Sequence, residues 1–158
     1  MNELETTKFH EGELYDAYRY FGCQIRENAG EGIFRVFAPS AKRVSLIGDF
    51  SAWQEIPMNN IGDGIYEAKV KSVKIYDGYK YKIYTADGRE LFKSDPYAFH
   101  SETNEGTNSK AYPLSLISVN DEDYQQKKAN KNIYHSPMNI YEAHIGFTEA
   151  LTFIVVLL

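Results

Sequence analysis

Apolar and polar residues alternate with a period of two along several separate stretches of the chain. Alternation of this kind is typical of β-strands that have one buried and one exposed face. The stretches are "GIFRVFAP" (32–39), "KRVSLIGDF" (42–50), "GIYEAKV" (64–70) and "GYKYKIYTADG" (78–88). Turn-forming residues separate them, and no helix of 10–15 residues intervenes. The pattern therefore predicts an antiparallel β-sandwich and disfavours a parallel α/β sheet.

The alternation also assigns the side chains to faces. The residues predicted to share the inner face are Val44, Leu46, Gly48 and Phe50 in one strand, with Ile47 as an exception, then Tyr66, Ala68 and Val70, and then Tyr79, Tyr81 and Ile83. The opposite face of the last strand carries Lys80, Lys82 and Tyr84. Asp87-Gly88 predicts a tight hairpin turn, with "RELFKSDPY" as the returning strand.

A helix is predicted before the strands. In residues 11–21, "EGELYDAYRYF", the side chains of Leu14, Tyr15, Tyr18 and Phe21 recur at helical spacing. Gly22 follows and is a common stop signal for a helix.

The C-terminal third changes character. Residues 100–109 are predicted to be a polar loop, and "KAYPLSLI" (110–117) is expected to add a last short strand. Residues 119–132 are highly charged and predict a surface helix or a linker. Residues 138–146, "MNIYEAHIG", have strand character, but no later segment offers this strand a partner.

Composition narrows the functional classes. Aromatic residues make up 15% of the chain and include 13 Tyr, which suits half-exposed strands and sugar-binding surfaces. The net charge of −5 gives no basic excess to neutralise phosphates, so nucleic-acid binding is disfavoured. The single Cys and the absence of metal-ligand spacing predict no cofactor or metal and a cytoplasmic location. The C-terminal run "ALTFIVVLL" is too short to span a membrane, and no signal peptide is recognisable.

The order of several motifs resembles a known family. Residues 9–146 are similar to the N-terminal part of 1,4-α-glucan (glycogen/starch) branching enzymes, and the segments that carry the similarity are "FRVFAPSAKRVSLIGDFSAWQEIPM", "GIYEAKV", "YKYKIYTADG", "KSDPYAF" and "MNIYEAHIG". The resemblance implies a family 48 carbohydrate-binding module with an immunoglobulin-like fold, followed by the first strand of a glycoside hydrolase family 13 barrel. The family's catalytic carboxylates lie far downstream of that strand. No residue of this chain is therefore expected to be catalytic, and the chain is predicted to be inactive alone.

The resemblance also implies a division of the chain. The predicted parts are an N-terminal helical extension (1–23), the β-sandwich module (24–118), a charged linker (119–137), the start of a truncated barrel (138–146) and an aberrant tail (147–158). A natural short C-terminal strand is the alternative for the last part.

Four residues are predicted to bind carbohydrate. Glucans present apolar C–H faces edged by hydroxyls, so a site needs an aromatic ring for stacking and polar groups for hydrogen bonds. Trp53, the only tryptophan, follows a strand in a turn; it is either a core residue or a stacking platform, and Phe50 already supplies a core aromatic ring. The resemblance implies that Lys82 donates to sugar hydroxyls, with Lys80 and Tyr84 on the same face.

Other polar residues receive structural roles. A second stacking tryptophan of related modules is missing, because Leu91 or Phe92 lies near that position. Asp49 and Asp95 are expected to serve turns, and Glu102 in the polar loop is expected to be solvated.

Three functions are compatible with these observations. The first is an α-glucan-binding module that docks glucan for a branching enzyme, which transfers cut α-1,4 chains to 6-hydroxyls. The second is a bracing module for the catalytic barrel in cis, with no sugar affinity of its own. The third is a regulatory module such as those of glycogen-sensing kinase subunits, which the strand at 138–146 disfavours.

Overall fold

The computed structural model describes residues 3–26, 30–103, 105–130 and 132. The chain divides into two compact units, Met1–Ser118 and Val119–Leu158, and each is described by itself. The predicted strand at 138–146 and the predicted tail at 147–158 lie outside the described residues.

The first unit consists mainly of short strands. Its elements are α1 (Glu3–His10), a 3₁₀ turn (Ala17–Arg19), β1 (Gly22–Arg26), β2 (Glu31–Phe37), β3 (Ala41–Gly48), a 3₁₀ turn (Asp49–Ser51), β4 (Ile56–Pro57), β5 (Asn59–Asn60), β6 (Ile65–Lys71), β7 (Gly78–Thr85), β8 (Glu90–Lys93), β9 (His100–Ser101), β10 (Ser109–Lys110) and a 3₁₀ turn (Leu114–Leu116).

The strands form two antiparallel sheets. One sheet has the order β1–β2–β6–β5, and the other has the order β4–β3–β7–β10–β9. Strand β7 pairs with β3 along one edge, while its other edge pairs with β10 at its start and with β8 further along. The predicted fold class, an all-β, immunoglobulin-like sandwich, is confirmed.

The core lies between the two sheets and contains the predicted inner residues. Phe34, Val44, Leu46, Tyr79 and Tyr81 are fully buried. The alternation along β6 and β7 is therefore confirmed. On β3 the outward-facing Ser45 and Ile47 are buried as well, so this central strand shows no exposed alternate positions after Arg43. Burial on both faces explains why Ile47 interrupts the sequence pattern.

A buried carboxylate fixes the two core tyrosines. Asp95 Oδ2 accepts hydrogen bonds from the hydroxyls of Tyr79 (2.6 Å) and Tyr81 (3.2 Å). Its other oxygen accepts one from the amide of Tyr97 (2.8 Å), two residues along the chain, so the predicted turn role is confirmed. Burial raises the pKa of Asp95 above its usual range, against the opposing effect of these hydrogen bonds.

The predicted helix over 11–21 is wrong. The helix lies earlier, at Glu3–His10, and Gly12 follows it with φ of +76°. Beyond Gly12 the backbone makes only the 3₁₀ turn Ala17–Arg19. The apolar spacing has a tertiary cause: Phe21 is buried with Ala17 and Ile65, whereas Tyr15 is 89% exposed. Strand β1 begins at Gly22, inside the predicted extension 1–23.

Two other segments also differ in part from their predictions. The predicted polar loop 100–109 contributes β9 and the first residue of β10. The predicted strand over 110–117 is limited to Lys110, and a 3₁₀ turn follows at Leu114–Leu116.

The second unit contains the predicted charged surface helix. Helix α2 spans Glu122–Ala129 and all of its residues are exposed. Acidic side chains in its first turn and basic side chains in its last turn interact favourably with the helix dipole and stabilise the helix. Among the described residues, no helix has the length and apolar character needed to cross a membrane.

We predict that Asp95→Ala lowers the free energy of unfolding by roughly 3 kcal/mol, because two buried hydroxyls lose their acceptor. Asp95→Asn should cost less, since its amide oxygen can still accept and no buried charge remains. Urea unfolding of the 158-residue chain measures both values. If Asp95→Ala lowers the free energy of unfolding by less than about 1 kcal/mol, the hydroxyls of Tyr79 and Tyr81 find other hydrogen-bond partners and the expected role of Asp95 is wrong.

Candidate functional site

Trp53 lies in a turn that directs its side chain away from the core. The backbone leaves β3 through the 3₁₀ turn Asp49–Ser51, and the Trp53 amide then donates to the Gly48 carbonyl (2.8 Å). Ala52 and Trp53 have φ of +49° and +62°, in the left-handed region that residues other than glycine rarely adopt. Strain of this kind is often held at functional sites. The side chain of Trp53 remains 39% exposed.

Phe50 fills the core position at this end of β3. Its ring lies 5.2 Å from that of Phe34, and it packs against the main core. The prediction that Phe50, rather than Trp53, supplies the core aromatic ring is therefore confirmed.

Asp49 orients the indole over strand β7. One carboxylate oxygen accepts from Trp53 Nε1 (2.9 Å), and the other accepts from the amide of Gly78 (2.7 Å). A Cβ atom on Gly78 would lie 3.6 Å from Trp53 Cζ2, so the indole lies against this glycine. Asp49 begins the turn after β3, and in addition it joins segments 29 residues apart.

The loop that carries Asn108 also approaches Gly78. The same Cβ position at Gly78 lies 3.8 Å from Cβ of Asn108. The Asn108 side chain donates to Glu102 Oε1 (2.9 Å), and its backbone amide donates to Glu102 Oε2 (3.1 Å). These bonds lower the pKa of Glu102, so this carboxylate is a loop anchor and not merely solvated. Lys80 Nζ reaches the same loop through Thr107 Oγ1 (2.6 Å).

Sequence reasoning missed Asn108. Its signal is weak, because it is one of several small polar residues in "HSETNEGTNS". Only the pairing of Lys110 with Gly78 brings this loop beside the glycine against which Trp53 lies.

Lys82 and Tyr84 are organised around Glu55. Lys82 Nζ lies 2.6 Å from Glu55 Oε1 and 2.9 Å from Glu90 Oε2. The Tyr84 hydroxyl donates to Glu55 as well, at 2.7 Å from Oε2. The hydrogen bonds from Lys82 and then Tyr84 lower the pKa of Glu55 to about 2. The bond to Glu55 likewise raises the pKa of Lys82.

The predicted site residues share one face but form two groups. Because side chains two apart on a strand lie about 7 Å apart on the same face, Gly78, Lys80, Lys82 and Tyr84 form a row along β7. Trp53 lies at the start of this row, against Gly78. Further along, carboxylates engage two of the three N–H donors of Lys82, which leaves little capacity for a ligand.

An aromatic ring stands beside Lys82 on this face. Phe92 is the direct cross-strand partner of Lys82, so both side chains point outward, and Leu91 pairs instead with the inner Ile83. Phe92 is 55% exposed, and its ring centroid lies 5.6 Å from Lys82 Nζ. The second tryptophan is absent, and Phe92 is the residue that places an exposed aromatic ring near its predicted position.

In the part of the chain that the structure describes, no group of three or more His, Cys, Asp or Glu side chains is arranged to hold a metal ion.

Comparison with known proteins gives this face a context. Residues 20–98, half of the chain, match the family described as carbohydrate-binding module 48 (isoamylase N-terminal domain). The chain is 42% identical to the 1,4-alpha-glucan branching enzyme GlgB of Bacillus caldolyticus, over 91% of this chain and 22% of that protein. It is 38% identical to the GlgB of Bacillus subtilis, over 87% of this chain and 23% of that protein. The chain thus spans less than a quarter of these relatives' length.

Solved structures support the fold. The pullulanase of Anoxybacillus sp. LM18-11, solved in complex with maltotetraose, matches with a TM-score of 0.55 and 20% identity over 75% of this chain and 16% of that one. The pullulanase of Bacillus acidopullulyticus matches with a TM-score of 0.52 and 23% identity, over 60% of this chain and 12% of that one. The sandwich, the family match and the relatives agree: this chain belongs to the carbohydrate-binding module 48 family.

Proposed function

We propose that the outer face of the β3–β7–β8 sheet binds α-glucan, with Trp53 as the main stacking platform. The observation that carries the proposal is the way the indole is held. Asp49 fixes its N–H, Gly78 lies against it, and a strained turn keeps the residue out of the core. A ring fixed in advance loses little conformational entropy when a sugar stacks on it.

Lys80 and Phe92 extend this platform along β7. Lys80 is the next outward residue of β7 after Gly78, and it is held only by a neutral hydroxyl, that of Thr107, among the bonds described for its amine. Phe92 lies beside Lys82, which is about 13 Å along β7 from Gly78. A glucan of several units is needed to reach both rings, so the face is suited to polymer rather than to a single sugar.

We further propose that the module belongs to a cytoplasmic 1,4-α-glucan branching enzyme of glycogen biosynthesis. The named relatives support this assignment through 38–42% identity. In that setting the module would dock glucan for a catalytic barrel in cis, without catalysing a reaction itself.

A bracing role for the barrel is the second candidate, and the Glu55 cluster favours it. A site that must bind hydroxyls benefits from free hydrogen-bond donors. Lys82, however, donates to Glu55 and Glu90, and the Tyr84 hydroxyl donates to Glu55. Under this alternative, the cluster only stiffens the sheet.

Trp53→Gly should weaken binding of maltoheptaose by at least about tenfold, because an aromatic contact is lost. Glycine also suits the positive φ at this position, so the fold should tolerate the change. Isothermal titration calorimetry or affinity electrophoresis in glycogen gels measures the loss.

Tyr15→Ala is the matched control, since it removes an exposed ring elsewhere in the same unit. Equal affinity of Trp53→Gly and the unaltered chain would refute the stacking platform. No binding by the unaltered chain would favour the bracing role instead.

Glu55→Gln should reduce stability in a pH-dependent way. The folded pKa of Glu55, about 2, lies below its ordinary value, so its contribution is present above that ordinary value and is lost as pH falls toward 2. The stability difference between the two proteins should therefore be constant near neutral pH and shrink between about pH 4.5 and 2.

Chemical denaturation at a series of pH values tests this, with Glu105→Gln, an exposed loop change, as the control. A difference that stays constant down to pH 2 would contradict the ion-pair account of Glu55.

A further inference from the structure

Three aromatic rings form a cluster beyond the Trp53 platform. The ring centroids of Tyr76 and His100 are 5.2 Å apart, those of Tyr76 and Tyr112 are 5.4 Å apart, and those of His100 and Tyr112 are 5.6 Å apart. Each ring therefore contacts the other two.

The cluster lies on the same face of the sheet as Trp53. Lys110 is the direct cross-strand partner of both Gly78 and His100, so all three positions point to one side. Gly78 is the residue against which the indole lies. Two strand spacings, about 10 Å, separate it from His100.

Tyr76 occupies a backbone position that favours glycine. The amide of Asp77 donates to the carbonyl of Lys74 (3.1 Å), which closes a turn with Tyr76 at its third residue. Tyr76 has φ of +72° there, where glycine or asparagine is normally found. A large ring at this position carries a conformational cost, and the ring is 51% exposed.

The other two rings support Tyr76. Nδ1 of His100 is buried and has no hydrogen-bond partner among the described residues, so ring packing rather than a bond at that atom holds the imidazole. The amide of Tyr76 donates to the carbonyl of Ala111 (2.8 Å), which ties the turn to the segment that carries Tyr112. Partial burial, and then the neighbouring Tyr76, raise the pKa of Tyr112.

We propose that Tyr76 and Tyr112 form a second α-glucan contact, which extends the Trp53 platform across β10 and engages only chains long enough to reach it. This inference rests on the proposed glucan-binding function. Both rings combine an apolar face with a hydroxyl tip, which matches the C–H faces and hydroxyls of a glucan. Lys110 lies between the two contacts and adds a cationic donor.

Tyr76→Gly tests the inference, because it removes the ring and relieves the backbone at the same position. Binding of maltotriose and of a linear maltodextrin of ten or more units is measured by calorimetry on the full chain. We expect the long ligand to bind roughly three- to tenfold more weakly and the short ligand to change less than about twofold. Tyr112→Ala should reproduce this selective loss, and Tyr76→Phe should retain most of the affinity.

The Trp53→Gly variant separates the two proposals. If Trp53→Gly loses affinity for both ligands while Tyr76→Gly and Tyr112→Ala leave the long ligand unchanged, the second contact is wrong and the proposed function stands. If the unaltered chain binds neither ligand, both are wrong. A Tyr76→Gly change in sedimentation behaviour without a change in glucan affinity would mark the cluster as a protein contact and overturn the inference.

Discussion

The pleat of strand β7 is the constraint on which the sandwich and its binding face both depend. Its inner residues Tyr79 and Tyr81 bond to the buried carboxylate of Asp95, and its outer residues Lys80 and Lys82 face the surface. Because the side-chain period of a strand is two, a slip of one residue would bury the lysines and expose the tyrosines. The Asp95 network therefore fixes the register that also arranges the outer face.

The outer face has two differently organised ends. At the prepared end the aromatic ring of Trp53 is oriented for a ligand, and at the other end the charged side chains pair with one another. At the prepared end, Asp49 uses both oxygens to join Trp53 to Gly78, so the indole is oriented before any ligand arrives. At the other end, Glu55 is surrounded by Lys82 and Tyr84, and its acidity follows from those donors. The first arrangement favours ligand binding and the second favours rigidity, and a docking module can use both.

The sequence predicts those features that depend on the local alternation of side chains. Predictions from it are wrong or incomplete where segments distant in sequence come into contact. The faces of β6 and β7 and the hairpin at Asp87-Gly88 follow from alternation and turn chemistry. The helix over 11–21 failed because its apolar spacing reflects contacts of Phe21 with other elements. The roles of Asn108 and Glu55 depend on the pairing of strands distant in sequence, which one sequence does not reveal. The role of Phe92 depends on the register of the β7–β8 hairpin.

The chain has one tryptophan, so its indole N–H gives a single resonance in a ¹⁵N–¹H spectrum. Titration with maltoheptaose, followed at this resonance, tests the central claim that Trp53 is the glucan platform. The account predicts a progressive, saturable shift that a β-linked oligosaccharide of equal length does not reproduce. An indole resonance that stays unchanged at millimolar maltoheptaose would contradict it.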